Sequence, residues 1–172
     1  YLFSSLAIDP SRSVFIKERL TILYSHPTYE GLYQQVKENP LNLETFKCLF
    51  LRFKGQELSY QERLKRLKDI GFLIGGEADM YQPKQVLGLT VIEGRWLFGI
   101  LEANSNEWVS HENKPHSYSF SLSVRVSRAV ANIAVGRHPH RQIIDPCCGA
   151  GTVILEVLTV GGKIVGNELN PK

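Results

Sequence analysis

The residues best suited to chemistry occur together near one end of the sequence, in the run Asp145-Pro146-Cys147-Cys148-Gly149-Ala150-Gly151-Thr152. An acidic residue closes a predicted strand here, and two glycines follow it in a turn that leads into a predicted helix. Glycine suits such a turn because it adopts backbone conformations closed to other residues and lets a ligand lie against the main chain. The pattern therefore predicts a ligand site at the end of a strand.

The acidic residues indicate the chemical class of the ligand. A phosphate-binding G-x-G-x-x-G turn would need a glycine three positions after Gly151, where Ile154 stands. Asp145 would repel a phosphate, but it suits a ligand with an ammonium group, such as the methionine end of S-adenosylmethionine. Glu168 follows roughly 20 positions later, at the end of the next predicted strand, where a carboxylate accepts hydrogen bonds from ribose hydroxyls. Together the two acids indicate a nucleoside cofactor.

Other reactive residue types offer weaker sites. Cys147 and Cys148 have no neighbouring base that would make a nucleophile, so we assign them to packing around the cofactor. His138 and His140 share a loop without a cysteine or a matching acid, and we predict no metal site there. Three cysteines, two of them adjacent, do not make a disulfide framework, which favours a reducing, cytoplasmic location.

Composition excludes several classes of protein. With 43% hydrophobic and 22% charged residues, the 172-residue chain is neither disordered nor fibrous, and it has no apolar run of membrane-spanning length. A net charge of +3 is too small to identify a nucleic-acid-binding protein by itself. The chain begins at Tyr1 and ends inside an α/β pattern, so we expect it to be a piece of a longer protein.

The elements around the motif predict a βαβ unit. Its strands are expected at Gln142–Asp145 and Lys163–Gly166, with a helix over Val153–Thr159 between them. Another helix precedes them, from about Ser119 to Val135, because apolar residues recur there at helical spacing. A βαβ order implies a parallel sheet, and such sheets bind ligands at their carboxyl edge.

The first 101 residues predict an α+β module. One helix is expected over Thr28–Glu38, and a second begins at the capping box of Ser59 with Glu62 and ends at Gly71. The strands are expected at Tyr1–Ala7, Glu44–Phe53, Val86–Ile92 and Arg95–Leu101, the last two joined by a hairpin turn at Glu93-Gly94.

Three stretches of sequence resemble a known family. DPCCGAGT followed by GNELNPK resembles the first two cofactor motifs of class I S-adenosylmethionine-dependent methyltransferases, in the branch that modifies RNA. KPHSYSFSLSVRVSRAVANIA is similar to the helix leading into the cofactor site of tRNA guanine-N2 methyltransferases, and IGGEADMYQPKQVLGLTVIEGRWLFGIL resembles the end of a THUMP domain. The fold class implied is α/β, with a THUMP-like α+β module followed by the start of a Rossmann-like methyltransferase sheet.

The resemblance also implies domains, a cofactor and a partner. The domains are an accessory segment 1–42, a THUMP-like RNA-binding module 43–101, a linker 102–116 and the N-terminal part of a Rossmann-like methyltransferase domain 117–172. The implied partner is tRNA or another structured RNA, with no membrane, bound by Arg63, Arg66 and Lys84. The implied cofactor is S-adenosylmethionine, held by Asp145, Pro146, Cys147, Gly149, Gly151, Thr152, Glu168, Leu169 and Asn170.

The implied activity is methylation of RNA, at the exocyclic amine (N2) of a guanine in tRNA. The family positions the methyl acceptor with an Asn/Asp-Pro-Pro-Tyr-type loop, which does not occur after Gly151, so no catalytic residue is assigned. Two interpretations stay open: a methyltransferase whose parent chain continues past Lys172, and a THUMP-type RNA-binding module with an incomplete, non-catalytic cofactor fold. A dinucleotide-dependent oxidoreductase is a third, which the missing third glycine disfavours.

Overall fold

A computed structural model of the chain describes residues 1–113, 121–138 and 140–169. Its residues cluster into two compact units, one formed by Glu18–Glu102 and the other by Tyr1–Lys17 together with Ala103–Lys172. The predicted accessory segment 1–42 is therefore divided between the units, because its first 17 residues cluster with the later part of the chain. No helix within the described ranges combines the length and the apolar character of a membrane span.

The unit of residues 18–102 is built on a five-stranded mixed sheet, in the order β1-β5-β4-β2-β3. Strand β2 pairs in parallel with both β3 and β4, and β4 forms an antiparallel hairpin with β5. The elements are β1 (Glu18–His26), α1 (Tyr29–Glu38), β2 (Asn42–Phe50), α2 (Tyr60–Gly71), β3 (Gly75–Ala78), β4 (Gln85–Ile92) and β5 (Arg95–Ala103).

Both helices of this unit share one apolar core with the sheet. Leu32 of α1 and Ile70 of α2 are fully buried, together with Leu87 and Leu89 of β4 and Phe98 of β5. Leu87 and Leu89 alternate along their strand, so they point to the same face of the sheet. Each such side chain contributes roughly 1.5–3 kcal/mol when it leaves water, and the cluster therefore holds the helices on the sheet.

Most of the predicted elements in this unit are confirmed. Thr28 caps α1 by accepting a hydrogen bond from the Gly31 amide, and the Ser59 capping box is present at the start of α2. Strand β2 begins two residues earlier and ends three residues earlier than predicted. The turn between β4 and β5 has positive φ at both Glu93 and Gly94, as a two-residue hairpin requires.

The strand predicted at Tyr1–Ala7 is wrong, because that segment has no strand in the structure. Its aromatic and apolar side chains suit a strand, but a strand also needs a partner, and Tyr1 and Leu2 are exposed. The edge beside β5 is occupied instead by β1, which the sequence prediction missed, as it missed the short strand β3.

The second unit contains the predicted βαβ pattern. Strands β6 (Gln142–Asp145) and β7 (Lys163–Gly166) match the predicted ranges and pair in parallel, with α4 (Thr152–Thr159) between them. Helix α3 (Val124–Val135) begins after its cap Ser123, later than predicted, and Ser119 lies outside the described residues. A 3-10 helix at Glu107–Asn113, with Trp108 buried, lies within the predicted linker 102–116. The predicted α/β fold class is confirmed.

Polar side chains attach the N-terminal segment to the rest of this unit. The buried Asn104 amide nitrogen lies 2.7–2.9 Å from the carbonyl oxygens of Pro10, Ser13 and Ile16. Arg12 donates to the Asn132 side chain at 2.9 Å and to the Gly136 carbonyl at 2.6 Å. These hydrogen bonds link residues 1–17 to residues 103–172 and satisfy carbonyl groups of the main chain, which explains why the two segments belong to one unit.

Replacement of Gly99 by alanine is expected to destabilise the unit of residues 18–102 by at least about 1–3 kcal/mol, because overpacking against backbone is poorly relieved. The new Cβ would stand 1.9 Å from the Thr21 carbonyl oxygen and 2.9 Å from the Leu23 nitrogen, both on β1. Amide hydrogen exchange in β4 and β5 measures the loss.

Gly71→Ala is the matched control for Gly99→Ala, because among the described residues no atom outside its own helix backbone and its chain neighbours lies within 4 Å of a Cβ at that helix end. It is expected to keep or slightly raise stability, since alanine favours the helical conformation over glycine. If the amides of β4 and β5 were equally protected from hydrogen exchange in Gly99→Ala and Gly71→Ala, this would contradict the packing of β5 against β1.

Candidate functional site

The turn between β6 and α4 has the conformation that its glycines predict. Gly149 has a φ of 50° and Gly151 a φ of 73°, both in the left-handed region. The Asp145 carboxylate accepts a hydrogen bond from the Cys147 amide at 3.2 Å, which starts the turn. Helix α4 begins directly after Gly151, and no side chain caps its first turn. The turn therefore presents main chain rather than side chains at the end of β6.

The two acidic residues singled out in the sequence lie at neighbouring strand ends. The Gly149 amide donates to the Glu168 carboxylate at 2.7 Å, across the gap between the turn and the end of β7. Two backbone hydrogen bonds of 2.9 Å, from Asn167 to the Asp145 carbonyl and from Cys148 to the Asn167 carbonyl, fix the two segments side by side. Both carboxylates thus lie at the carboxyl edge of the parallel pair.

The predicted cofactor residues differ in exposure. Thr152 is buried, at 5% exposure, so its side chain belongs to the interior, whereas the Leu169 side chain is 91% exposed. Asn170 lies outside the described residues. Asp145 and Gly151 are half-buried, and the exposed members of the set are Pro146, Cys147, Gly149, Glu168 and Leu169.

Gly166 is a residue of the site that the sequence reasoning missed. A Cβ at this position would stand 2.3 Å from the Ile154 side chain and 2.9 Å from the Cys148 sulfur. Only glycine therefore lets β7 approach the turn closely enough for Glu168 to reach Gly149. The Cys148 side chain thus lies against β7, and its predicted packing around the cofactor stays a prediction. The signal was present in the sequence as the glycine that opens GNELN.

A buried acid behind the turn was also missed. The Glu156 side chain on α4 is fully buried; one carboxylate oxygen pairs with the Arg128 guanidinium of α3, and the other lies 2.7 Å from His111 Nδ1. Arg128 is itself 3% exposed. Such a carboxylate is tolerated only with partners on both oxygens. The signal in the sequence that could have identified Glu156 is its position as a single acidic residue within the apolar run VILEVL.

Two of the three predicted RNA-binding residues, Arg63 and Arg66, lie about one turn apart on α2, whereas Lys84 directly precedes β4, and each of the three already has a partner. The Arg66 guanidinium stacks 4.6 Å from the Trp96 ring centre and 5.0 Å from that of Tyr29. Arg63 lies 6.0 Å from the ring centre of Phe50. Lys84 pairs with the Glu44 carboxylate, and both side chains are mostly exposed.

The Arg66 stack also affects the neighbouring phenol. Tyr29 donates a hydrogen bond to the Arg66 carbonyl at 2.9 Å, and burial raises the pKa of the Tyr29 hydroxyl. The phenol therefore stays protonated as a donor. Cation–π contacts of this kind contribute about 0.5–2 kcal/mol, so Arg66 stabilises the fold as well as carrying charge.

The G-x-A-D segment has a structural role at its aspartate. The Asp79 carboxylate accepts hydrogen bonds from the amides of Tyr81 at 2.8 Å and Gln82 at 3.0 Å. Both hydrogen bonds favour the charged carboxylate and hold the pKa of Asp79 below its ordinary value. The bond from the Gln82 amide has the larger effect on this pKa. The glycine of the motif, Gly76, has a φ of 129°, and a Cβ there would meet the Leu43 carbonyl at 2.1 Å. The motif thus fixes how β3 leaves the sheet.

Comparison with known proteins gives one distant sequence relative and a shared fold. No family model matches the sequence. The chain is 25% identical over 101 residues to the tRNA (guanine(10)-N2)-dimethyltransferase of Methanothermobacter thermautotrophicus, which covers 56% of this chain and 30% of that protein. The crystal structure of TrmN from Thermus thermophilus is similar with a TM-score of 0.53 and 16% identity, covering 98% of this chain and 54% of that one. The chain thus has the fold of part of TrmN and spans about half of its length.

Removal of the buried carboxylate in Glu156→Ala is expected to destabilise the second unit by about 3–5 kcal/mol, because it leaves the Arg128 charge buried without its partner. Amide hydrogen exchange in α3 and α4 measures the effect. The exposed Glu112 is the control, and its replacement by alanine should change stability by no more than about 0.5 kcal/mol. Unchanged protection of α4 in Glu156→Ala would show that the ion pair does not hold the helix.

Proposed function

We propose that the chain is part of an S-adenosylmethionine-dependent RNA methyltransferase and carries its cofactor site. One observation carries the proposal: two carboxylates, Asp145 and Glu168, flank a glycine turn at the carboxyl edge of a parallel strand pair. This is the edge at which open α/β sheets bind ligands. Two acids around a main-chain surface suit a ligand with a cationic group and vicinal hydroxyls better than they suit a phosphate.

The residues present fit the cofactor. Asp145 would hold the ammonium group of the methionine portion, and Glu168 would accept hydrogen bonds from the ribose hydroxyls. Among the described residues, and apart from the adjacent residues in the chain, no atom would come closer than 4.0 Å to a Cβ at Gly149 or Gly151, so the space beside both glycines is open to a ligand. Leu169, 91% exposed at the same edge, is suited to cover one face of the adenine.

Bound there, S-adenosylmethionine would supply a methyl group activated by its sulfonium. The residues of this chain would bind and orient that cofactor at the sheet edge. Orientation alone accounts for a large part of the rate enhancement in such a reaction, because holding two reactants in line replaces a bimolecular encounter with a unimolecular step. No general base is assigned within this chain.

The proposed substrate is a guanine in tRNA, methylated on its exocyclic N2 amine. The distant similarity to a tRNA (guanine(10)-N2)-dimethyltransferase supports this choice, as does the resemblance of residues 43–101 to a THUMP domain. Arg63, Arg66 and Lys84 are proposed to contact the RNA. The free thiols of Cys48, Cys147 and Cys148 agree with a proposed cytoplasmic location.

Glu168→Ala is expected to weaken the binding of S-adenosylhomocysteine by roughly 10- to 150-fold, because a charge-assisted hydrogen bond contributes about 1.5–3 kcal/mol. Isothermal titration calorimetry measures the change. Glu168→Gln should lose less, since its amide oxygen still accepts one hydroxyl. Glu107→Ala removes an exposed carboxylate of the same unit and should bind as the parent does. Parent-like affinity in Glu168→Ala would refute the site.

Gly151→Ala separates a ligand contact from backbone strain. Gly151 and Gly161 both have positive φ, 73° and 85°, and in the described part of the chain no atom beyond the adjacent residues lies closer than 4.0 Å to a new Cβ at either position. Alanine at either position should therefore lower stability by about 1 kcal/mol. Only Gly151→Ala should also lose binding of S-adenosylhomocysteine, because only there would the methyl group meet the ligand. Equal binding in the two variants would place the ligand away from the turn.

A further inference from the structure

The opposite edge of the β6–β7 pair carries a cluster of basic side chains that the proposed cofactor site does not use. We call this cluster the basic edge. Residue Gln142 of β6 is in register with Lys163 of β7, so the amino ends of both strands lie side by side. The members of the basic edge are Arg137, His138, His140, Arg141 and Lys163, and all five are exposed.

Backbone hydrogen bonds hold the basic edge in place. The Lys163 amide donates to the Arg141 carbonyl at 3.2 Å, and the His140 amide donates to the Gly161 carbonyl at 3.4 Å. The Arg141 amide donates to the His138 carbonyl at 3.2 Å, which closes the loop after α3. The loop geometry therefore depends on main-chain groups. Among the side chains, the Arg141 guanidinium adds a hydrogen bond to the Ala134 carbonyl at 3.3 Å, whereas the mutual repulsion of the charges opposes this arrangement.

In the part of the chain that the structure describes, no acidic side chain pairs with these charges. The sequence has no Asp or Glu between Glu112 and Asp145. The nearest acid on α4, Glu156, is buried and paired with Arg128 and His111. Asp145 ends β6 at the other edge, about 10 Å from its first residue at roughly 3.3 Å per residue. Among the described residues, none of the five members of the basic edge forms an ion pair with an acidic side chain.

We propose that the basic edge binds the phosphodiester backbone of the RNA substrate. Three permanent cations and two imidazoles on adjoining loops match a ligand with several evenly spaced negative charges. The contacts would be independent of base sequence, because they would be made to phosphates, which position an RNA without reading it. This inference rests on the proposed RNA substrate but does not depend on the proposed cofactor.

The test compares two triple variants that remove the same number of charges. Arg137→Gln/Arg141→Gln/Lys163→Gln removes the cations of the basic edge, and Lys17→Gln/Lys37→Gln/Arg125→Gln removes three exposed cations that lie outside both the basic edge and the proposed RNA-binding module 43–101. The probe is a fluorescently labelled RNA hairpin, titrated without cofactor over a range of salt concentrations. Vesicles of phosphatidylserine serve as a second polyanion.

The basic-edge variant is expected to bind the hairpin at least about tenfold more weakly and to lower the slope of log K against log salt by about 0.9 for each phosphate that it no longer neutralises. The control variant should stay within about threefold of the parent, since its cations lie elsewhere. Because Arg141 also donates to the Ala134 carbonyl, the double variant Arg137→Gln/Lys163→Gln is measured as well. It keeps that hydrogen bond and should still lower the slope.

Three results would overturn the proposal: a parent that does not bind the hairpin, equal losses in the two triple variants, or binding by the parent to the vesicles but not to RNA. Titration of S-adenosylhomocysteine into the basic-edge variant keeps this test separate from the proposed function. Its cofactor affinity should equal that of the parent, because the basic edge lies at the other end of the strands. Loss of cofactor affinity together with RNA affinity would show that the variant is damaged and would refute a role confined to RNA.

Discussion

The hydrogen bond from the Asn167 amide to the Asp145 carbonyl extends the parallel pairing of β6 and β7 beyond their last residues. It is a short contact of 2.9 Å, but it sets the register of everything that follows on both strands. A shift by one residue would turn Glu168 to the opposite face, because side chains alternate along an extended chain. The approach of the Glu168 carboxylate to the Gly149 amide depends on that register. The absence of a Cβ at Gly166 is what lets the chains come so close.

Behind this edge, a buried acid anchors the helix that carries the turn. Thr152 and Glu156 are four residues apart on α4, so they lie on the same face of the helix, and both are buried. Glu156 reaches α3 through Arg128 and the 3-10 helix through His111. An ion pair in such a place adds little net stability, yet it permits few alternative packings, because any other arrangement would bury an unpaired charge. The glycine turn is thus built from conformationally free residues but fixed in position.

Much of the fold and part of the site could be predicted from the sequence, and the failures have a physical pattern. Elements with local signals were predicted well: the Ser59 capping box, the Glu93-Gly94 hairpin and the strands β6 and β7. Elements that depend on a distant partner were not. The segment Tyr1–Ala7 has the composition of a strand without an edge to pair with, whereas β1 has such an edge beside β5. Likewise, Glu156 was overlooked because its partners are 28 and 45 residues away in sequence.

The Asn104 amide, which gathers three carbonyl oxygens of the N-terminal segment, has a consequence for the order in which the chain folds. Residues 1–17 cannot form these hydrogen bonds until the ribosome has synthesised residue 104, which happens only after residues 18–102 have been synthesised. Those residues form a unit of their own, and the Arg19–Glu102 ion pair brings its two ends together. When residues 18–102 have folded, the two ends of this long loop are therefore already held together. Bringing residues 1–17 to residues 103–172 then avoids most of the chain entropy that closing the same loop would otherwise cost. The folded unit of residues 18–102 thereby joins the two chain segments from which the discontinuous second unit assembles.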